Sequence, residues 1–363
     1  MSLKCGIVGL PNIGKSSLFN ALTKSDIPAE NYPFCTIEPN SGLVQVPDER
    51  LDKLESLISS NSKVEALVEF TDIAGLVKGA SQGQGLGNQF LSYVRQTDAL
   101  IHVVRAFEHE KIIHVSENIN PKDDIIVVET ELALSDYEQC VRVMDRVKKK
   151  SKGTPKESAE KILALEELLS HLSKGKMLRG TTLSNEARSV VKELQLLSAK
   201  PTIFLANVEE KSLKGNSFSK KVEDFALADN SSFVILSAAL EQELADLSPQ
   251  ERKQYLEMLD LTETGLTKLI QTSFDLLNLH CFFSAGKKEV RAWTIERGAT
   301  AFEAAKAIHS DIQRGFIKAE VISYDDFIKF NGEVGAKENG KLRTEGKEYI
   351  VKDGDIITFR FNV

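Results

Sequence analysis

Near the amino terminus, Gly9-Leu10-Pro11-Asn12-Ile13-Gly14-Lys15-Ser16 matches the pattern G-x-x-x-x-G-K-[ST]. It lies between an apolar run, Cys5 to Leu10, and a segment with Leu18, Phe19 and Leu22 at helical spacing. Such a loop and the helix amino end behind it form a cradle of N–H groups that attracts phosphate. The expected phosphate-binding set is Asn12, Ile13, Gly14, Lys15, Ser16 and Ser17, with Lys15 the catalytic charge on the outer phosphates and the Ser16 hydroxyl a magnesium ligand.

A triphosphate site needs a second acidic contact to the metal and a sensor of the γ-phosphate. Asp72-Ile73-Ala74-Gly75, after the apolar run Val64 to Phe70, supplies both: Asp72 to hold the metal through water, and Gly75 to bring its N–H close to the phosphate. Alone, an Asp-x-x-Gly is more often a plain turn; its spacing after the phosphate loop argues for the sensor. Between the two motifs, the proline-punctuated Asn31 to Asn40 loop offers Thr36 as a further magnesium ligand, unless Thr36 simply begins the next strand. The stretch from Gly75 to Gly87 is glycine-dense and reads as a switch. Position 76 is leucine, which cannot orient water as a glutamine would, so turnover should be slow or another group must place the water.

Guanine-specific switches read the base with Asn-Lys-x-Asp. Here the corresponding run is Asn207-Val208-Glu209-Glu210: Val208 replaces the lysine, and the Glu210 carboxylate is one methylene further out. Losing two charged hydrogen bonds would cut guanine selectivity roughly a hundredfold or more. Adenine's N1 acceptor would be repelled by a carboxylate, so Glu210 should turn aside and main-chain groups near Asn207 and Val208 should read the 6-amino group. Ser237-Ala238-Ala239 would complete the pocket, making Asn207, Val208, Glu210 and Ser237 the base-side set.

The elements that must position these groups are legible as short apolar runs alternating with helical segments up to about Phe107, resuming at Thr202 to Ala206 and Ser232 to Leu236. This predicts an α/β fold, a doubly wound P-loop sheet interrupted by an insertion. From about Glu129 to Lys200, Tyr137, Val141 and Met144, then Ile162, Leu165, Leu169 and Leu172, follow three-and-four spacing, as in two antiparallel helices. The lysine cluster from Lys148 to Lys156 suits either a phosphate contact or a solvated hairpin tip. From about Cys281 a smaller α+β module follows, with strands at Val290 to Ile295, Ala319 to Ser323 and Ile356 to Phe361. A capping box, Thr300-x-x-Glu303, opens a helix to His309, and an Asp353-Gly354 turn precedes the last strand, as in β-grasp folds.

The chain has 363 residues, 42% of them hydrophobic, enough for two or three domains, and its formal charge of -7 excludes a protein that is basic throughout. The 4 cysteines lack a C-x-x-C pair, which suits reduced thiols and a cytoplasmic location. No leader pattern and no membrane-spanning run is evident.

Taken together, the phosphate loop, the Asn31 to Asn40 segment and the glycine-rich segment resemble the Obg-related proteins, specifically the YchF or Obg-like ATPase branch, along the whole chain. The resemblance implies a nucleotide-binding domain in residues 1–128 and 201–280, a helical coiled-coil insertion in 129–200 and a TGS β-grasp domain in 281–363. It also implies ATP as substrate and ADP as product, with magnesium, and association with the ribosome or its RNA, regulating translation or a stress response. His114 would replace the missing glutamine, although beside Ile112 and Ile113 it reads equally as an edge histidine, and Asn12 matches a ligand of potassium-stimulated relatives. Three alternatives stand beside the ATPase: a GTP-specific GTPase, a nucleotide-stabilised ribosome- or RNA-binding module with negligible hydrolysis, and a small-molecule kinase, for which no lid or acceptor-site motif is evident.

Overall fold

The structure, a computed structural model, describes residues 3–24, 40–73, 86–109, 119–150 and 155–362. In chain order the first elements are β1 (Lys4–Val8), α1 (Lys15–Thr23), β2 (Ser41–Val46), α2 (Glu49–Ile58), β3 (Lys63–Val64), β4 (Ala66–Asp72), α3 (Leu86–Arg95) and β5 (Ala99–Arg105). Then come α4 (Pro121–Lys150), α5 (Pro155–Leu172), α6 (Asn185–Leu194), β6 (Thr202–Asn207), α7 (Ser217–Ala228), β7 (Ser232–Leu236), α8 (Ala238–Ala245), α9 (Pro249–Met258) and α10 (Gly265–Leu276). The remainder comprises β8 (Leu279–Ala285), β9 (Val290–Glu296), α11 (Ala301–Ile308), α12 (Ser310–Arg314), β10 (Phe316–Ile322), α13 (Tyr324–Lys329), α14 (Glu333–Glu338), β11 (Arg343–Glu345) and β12 (Ile356–Phe361).

A six-stranded sheet has the order β2-β4-β1-β5-β6-β7. The neighbours from β4 to β7 run parallel. β5 and β6 are buried along their whole length because their residues face helices on both sides. The chain leaves β1, builds β4 on one side and then crosses to β5 on the other. The carboxyl end of β1 is therefore a topological switch point, where such sheets bind ligands.

The helical insertion is rooted in this sheet. α4 has Pro121 as its first residue, which supplies a preset φ and lacks only an N–H that would be unsatisfied anyway. Its early residues Ile125 and Val128 are fully buried, Ile125 in one apolar cluster with Val104, Phe204 and Val222. Arg179, nearly buried, donates to Glu129 of α4 and, at 2.6 Å, to Asp229 at the end of α7. Asp136 is wholly buried, accepts from the Ser198 N–H and hydroxyl at 2.7 Å each, and pairs with Arg95 at 3.3 Å. α4 packs on α5, and a third helix, α6, completes the insertion, so its arrangement is fuller than the predicted helical pair.

The second sheet has the order β11-β10-β12-β8-β9-β3. A β8–β9 hairpin is followed by α11, and β12 returns parallel to β8 with β10 antiparallel beside it, which is the β-grasp arrangement. Thr300 and Glu303 form the expected capping box, and Gly354 takes φ 82 in the expected turn. The chain divides into two compact units, 1–43 with 69–269, and 44–68 with 270–363. The sequence reading assigned 44–68 to the nucleotide domain, whereas these residues group with the carboxyl-terminal sheet: α2 packs on β8 and β9, and β3 pairs with β9.

Candidate nucleotide-binding site

The loop between β1 and α1 is shaped by two glycines with positive φ. A Cβ on Gly9 would lie 2.5 Å from the Val103 carbonyl, and one on Gly14 would lie 2.4 Å from the Asn207 Nδ2, so neither position has room for a side chain. Gly14 caps α1 without any side-chain hydrogen bond, which leaves the first N–H groups of the helix free of a capping side chain. Lys15 is buried and its Nζ donates to the Leu10 carbonyl at 2.7 Å. Burial lowers its pKa to about 8 despite the nearby Asp72 carboxylate.

Asp72 ends β4 beside β1, and the Ser16 hydroxyl donates to its Oδ2 at 3.0 Å. Among the described residues its Oδ1 is buried with no hydrogen-bond partner, and burial raises the carboxyl pKa against the opposing effects of Ser16 and Lys15. A hydroxyl and an orphaned carboxylate oxygen, next to an uncapped helix amino end, are a donor set that fits a hard divalent cation bridging to phosphate.

On the base side, Asn207 joins two loops: its Nδ2 donates to the Ile13 carbonyl at 2.8 Å, and its Oδ1 accepts from the Ala238 N–H at 2.9 Å. Ser237 is buried and caps α8 by accepting from the Leu240 N–H. Val208 is buried in the core, and its N–H donates to the Leu236 carbonyl. Glu210 lies in a short turn and accepts from the Tyr255 hydroxyl at 3.1 Å. These groups surround a cavity of about 740 Å³, lined by Asn12, Gly14 and Ser17 at one end and by Asn207 to Glu210, Ser237 to Leu240, Gln242 and Glu243 at the other.

Known proteins align with this chain from end to end. The family model described as 50S ribosome-binding GTPase matches residues 4–131, and the YchF-GTPase_C model, described as a protein of unknown function, matches 279–362. The Ribosome-binding ATPase YchF of Escherichia coli O157:H7 is 52% identical over 363 residues, covering 100% of both chains. The chain belongs to the YchF family. The Bacillus subtilis protein of the same name is 47% identical over 366 residues, again with both chains covered. The solved Schizosaccharomyces pombe YchF GTPase matches 99% of this chain and 98% of its own at 35% identity, with a TM-score of 0.89.

In this YchF chain the structure brings together Asn12, Ile13, Gly14, Lys15, Ser16, Ser17, Asp72, Asn207, Val208, Glu210 and Ser237. Thr36, Gly75, Leu76 and His114 lie outside the described residues. Leu240, Gln242 and Glu243 of α8 escaped the sequence reading, as did two cavity residues that follow β5, Phe107 and His109. Buried Arg105 fixes Phe107 and His109: its Nε donates to the Phe107 carbonyl at 3.1 Å, its Nη2 to the His109 carbonyl at 3.4 Å, and its guanidinium lies 4.7 Å from the Phe107 ring. Their position just past the carboxyl end of the strand beside β1 was the available signal. Among the described residues no helix is long and apolar enough to cross a membrane.

Proposed function

We propose that this chain binds ATP with magnesium, hydrolyses it to ADP and phosphate, and uses the cycle to control its association with the ribosome. The observation that carries the reading is the Ser16–Asp72 contact, with the second Asp72 oxygen unpartnered and the amino end of α1 uncapped by a side chain among the described residues. Asp72 and Ser16, joined by Thr36, would hold magnesium, which when bound neutralises charge on the outer phosphate oxygens. Lys15, already at the loop and donating to a carbonyl it can give up, donates to the same phosphates. Gly75 would sense the γ-phosphate and His114 would place the attacking water. Asn12 is the proposed ligand of a stimulating potassium ion; equal turnover in sodium and potassium would remove that role.

ATP is favoured over GTP because Val208 stands where a guanine reader has its lysine, and the Glu210 carboxylate is engaged by Tyr255. A GTPase reading has support in the name of the S. pombe relative, and competition decides it: GTP binding at least about tenfold tighter than ATP would reverse the assignment.

The ribosome as partner, through its proteins or its RNA, rests on relatives named for binding it, and with it goes a cytoplasmic location. Residues 129–200 are proposed as the helical arm and the unit of 44–68 with 270–363 as the β-grasp module offered to that partner, with 1–43, 69–128 and 201–269 as the nucleotide domain. Turnover by the chain, lost in Lys15→Ala and Asp72→Ala, separates a hydrolase from a binding module, which would release no phosphate above background. Co-sedimentation with ribosomes in ATP, ADP and no nucleotide over a salt series tests the partner.

A further inference from the structure

Beside the base side of the cavity stands α9, a helix whose start is fixed by a full capping box between Ser248 and Glu251 with Pro249 as its first residue. Arg252 ties it to the end of α8, donating to the Leu244 carbonyl at 3.0 Å. α8 in turn carries Ser237 and Ala238 at its amino end, where they line the cavity. One turn further along α9, the Tyr255 hydroxyl donates to Glu210 Oε1 at 3.1 Å. Three carboxylates line this mouth, Glu209, Glu210 and Glu243. Glu209 pairs with Lys211 at 2.6 Å, and Glu210 is held by the phenol.

We propose that Tyr255 is a positioning residue for base selection, tethering the Glu210 carboxylate to α9 and so withholding it from the base. The inference rests on the nucleotide reading above. Guanine offers two donors, N1–H and the 2-amino group, to a carboxylate at position 210, whereas adenine offers the N1 acceptor, which a carboxylate repels. A tethered Glu210 therefore removes the reward for guanine and the repulsion of adenine together. α9 buries none of its residues completely, so Phe at 255 keeps the ring and its packing while removing only the donor.

The test measures binding of the β,γ-imido analogues of ATP and GTP, with magnesium, by calorimetry. Tyr255→Phe should shift the ratio of the two dissociation constants about five- to tenfold toward the guanine analogue, and adding Glu210→Gln to that variant should remove the shift. An unchanged ratio, or an equal change in both affinities, overturns the proposal. Binding of neither analogue by the unaltered chain would sink the nucleotide reading itself, which is a separate outcome. A nucleotide-free readout accompanies it: the Glu210 contact raises the Tyr255 phenol pKa, so in a tyrosinate absorbance titration Glu210→Gln should bring one phenol back down. Identical titrations would show that the contact is absent.

Discussion

Lys15 is placed for a ligand at a cost to the chain. Burial brings its pKa down to about 8 from an unfolded value near 10.5, so the folded state holds the proton less tightly than the unfolded one. The penalty is full below pH 8 and fades as pH rises toward the unfolded value, where both states are neutral. Lys15→Met should therefore stabilise the empty protein at neutral pH by on the order of 2 kcal/mol in urea unfolding, with the difference shrinking in alkali, while abolishing nucleotide binding. Nucleotide affinity of the unaltered chain should decline as pH climbs through 8, because the cation that meets phosphate is then lost. Lys15 was legible because its motif is contiguous. The double role of Asn207 was not, because its partner Ile13 is 194 positions away. Asn207→Ala leaves a carbonyl and an N–H unpaired in two loops at once and should weaken ATP and GTP alike, by about 2 kcal/mol each in calorimetry.

Elements were readable where their signals are local. The Thr300–Glu303 capping box satisfies its helix end through three hydrogen bonds within four residues, and the strand Ser232–Leu236 lies between the Asp229-Asn230 turn and the Ser237 cap of α8. The start of the insertion was harder. An apolar spacing shared by the sheet-facing and partner-facing turns of α4 gives no break near residue 129, and the helix begins at Pro121 with its first turns already packed on the domain below. Long-range polar contacts then hold the arm: Asp136 draws together α3, α4 and the return to β6 through Arg95 and Ser198. This orders two substitutions. Thr300→Ala should cost about 1 kcal/mol, the loss of one exposed cap. Asp136→Ala should cost about 3 kcal/mol, since it removes the carboxylate that faces Arg95 and leaves two buried Ser198 donors without their acceptor. Urea midpoints compare the two directly, and equal losses would refute the assignment of Asp136 as the anchor of the arm.

At the scale of the molecule, the chain is wound so that its early residues complete a late module. Segment 44–68 leaves the first sheet, contributes α2 and the short strand β3, and returns. Leu51 and Leu54 are fully buried because α2 lies against β8, β9 and α13, and β3 extends the second sheet at β9. Arg50 reinforces the same contact, bridging Asp48 and Asp353 at 2.8 Å each and lying 5.2 Å from the Phe283 ring. Sequence patterns could not show this, since the pairing joins residues more than 200 positions apart and neither partner carries a motif. A chain ended at residue 276 keeps the nucleotide motifs but uncovers both leucines, each contributing about 2 kcal/mol when buried. Such a truncation should unfold at a lower temperature than the full chain and bind an apolar dye, and replacing Leu51 and Leu54 by lysine should suppress the dye binding. If instead the carboxyl-terminal module were a separable appendage beginning at residue 281, the shortened chain would melt with an undiminished midpoint and take up no dye.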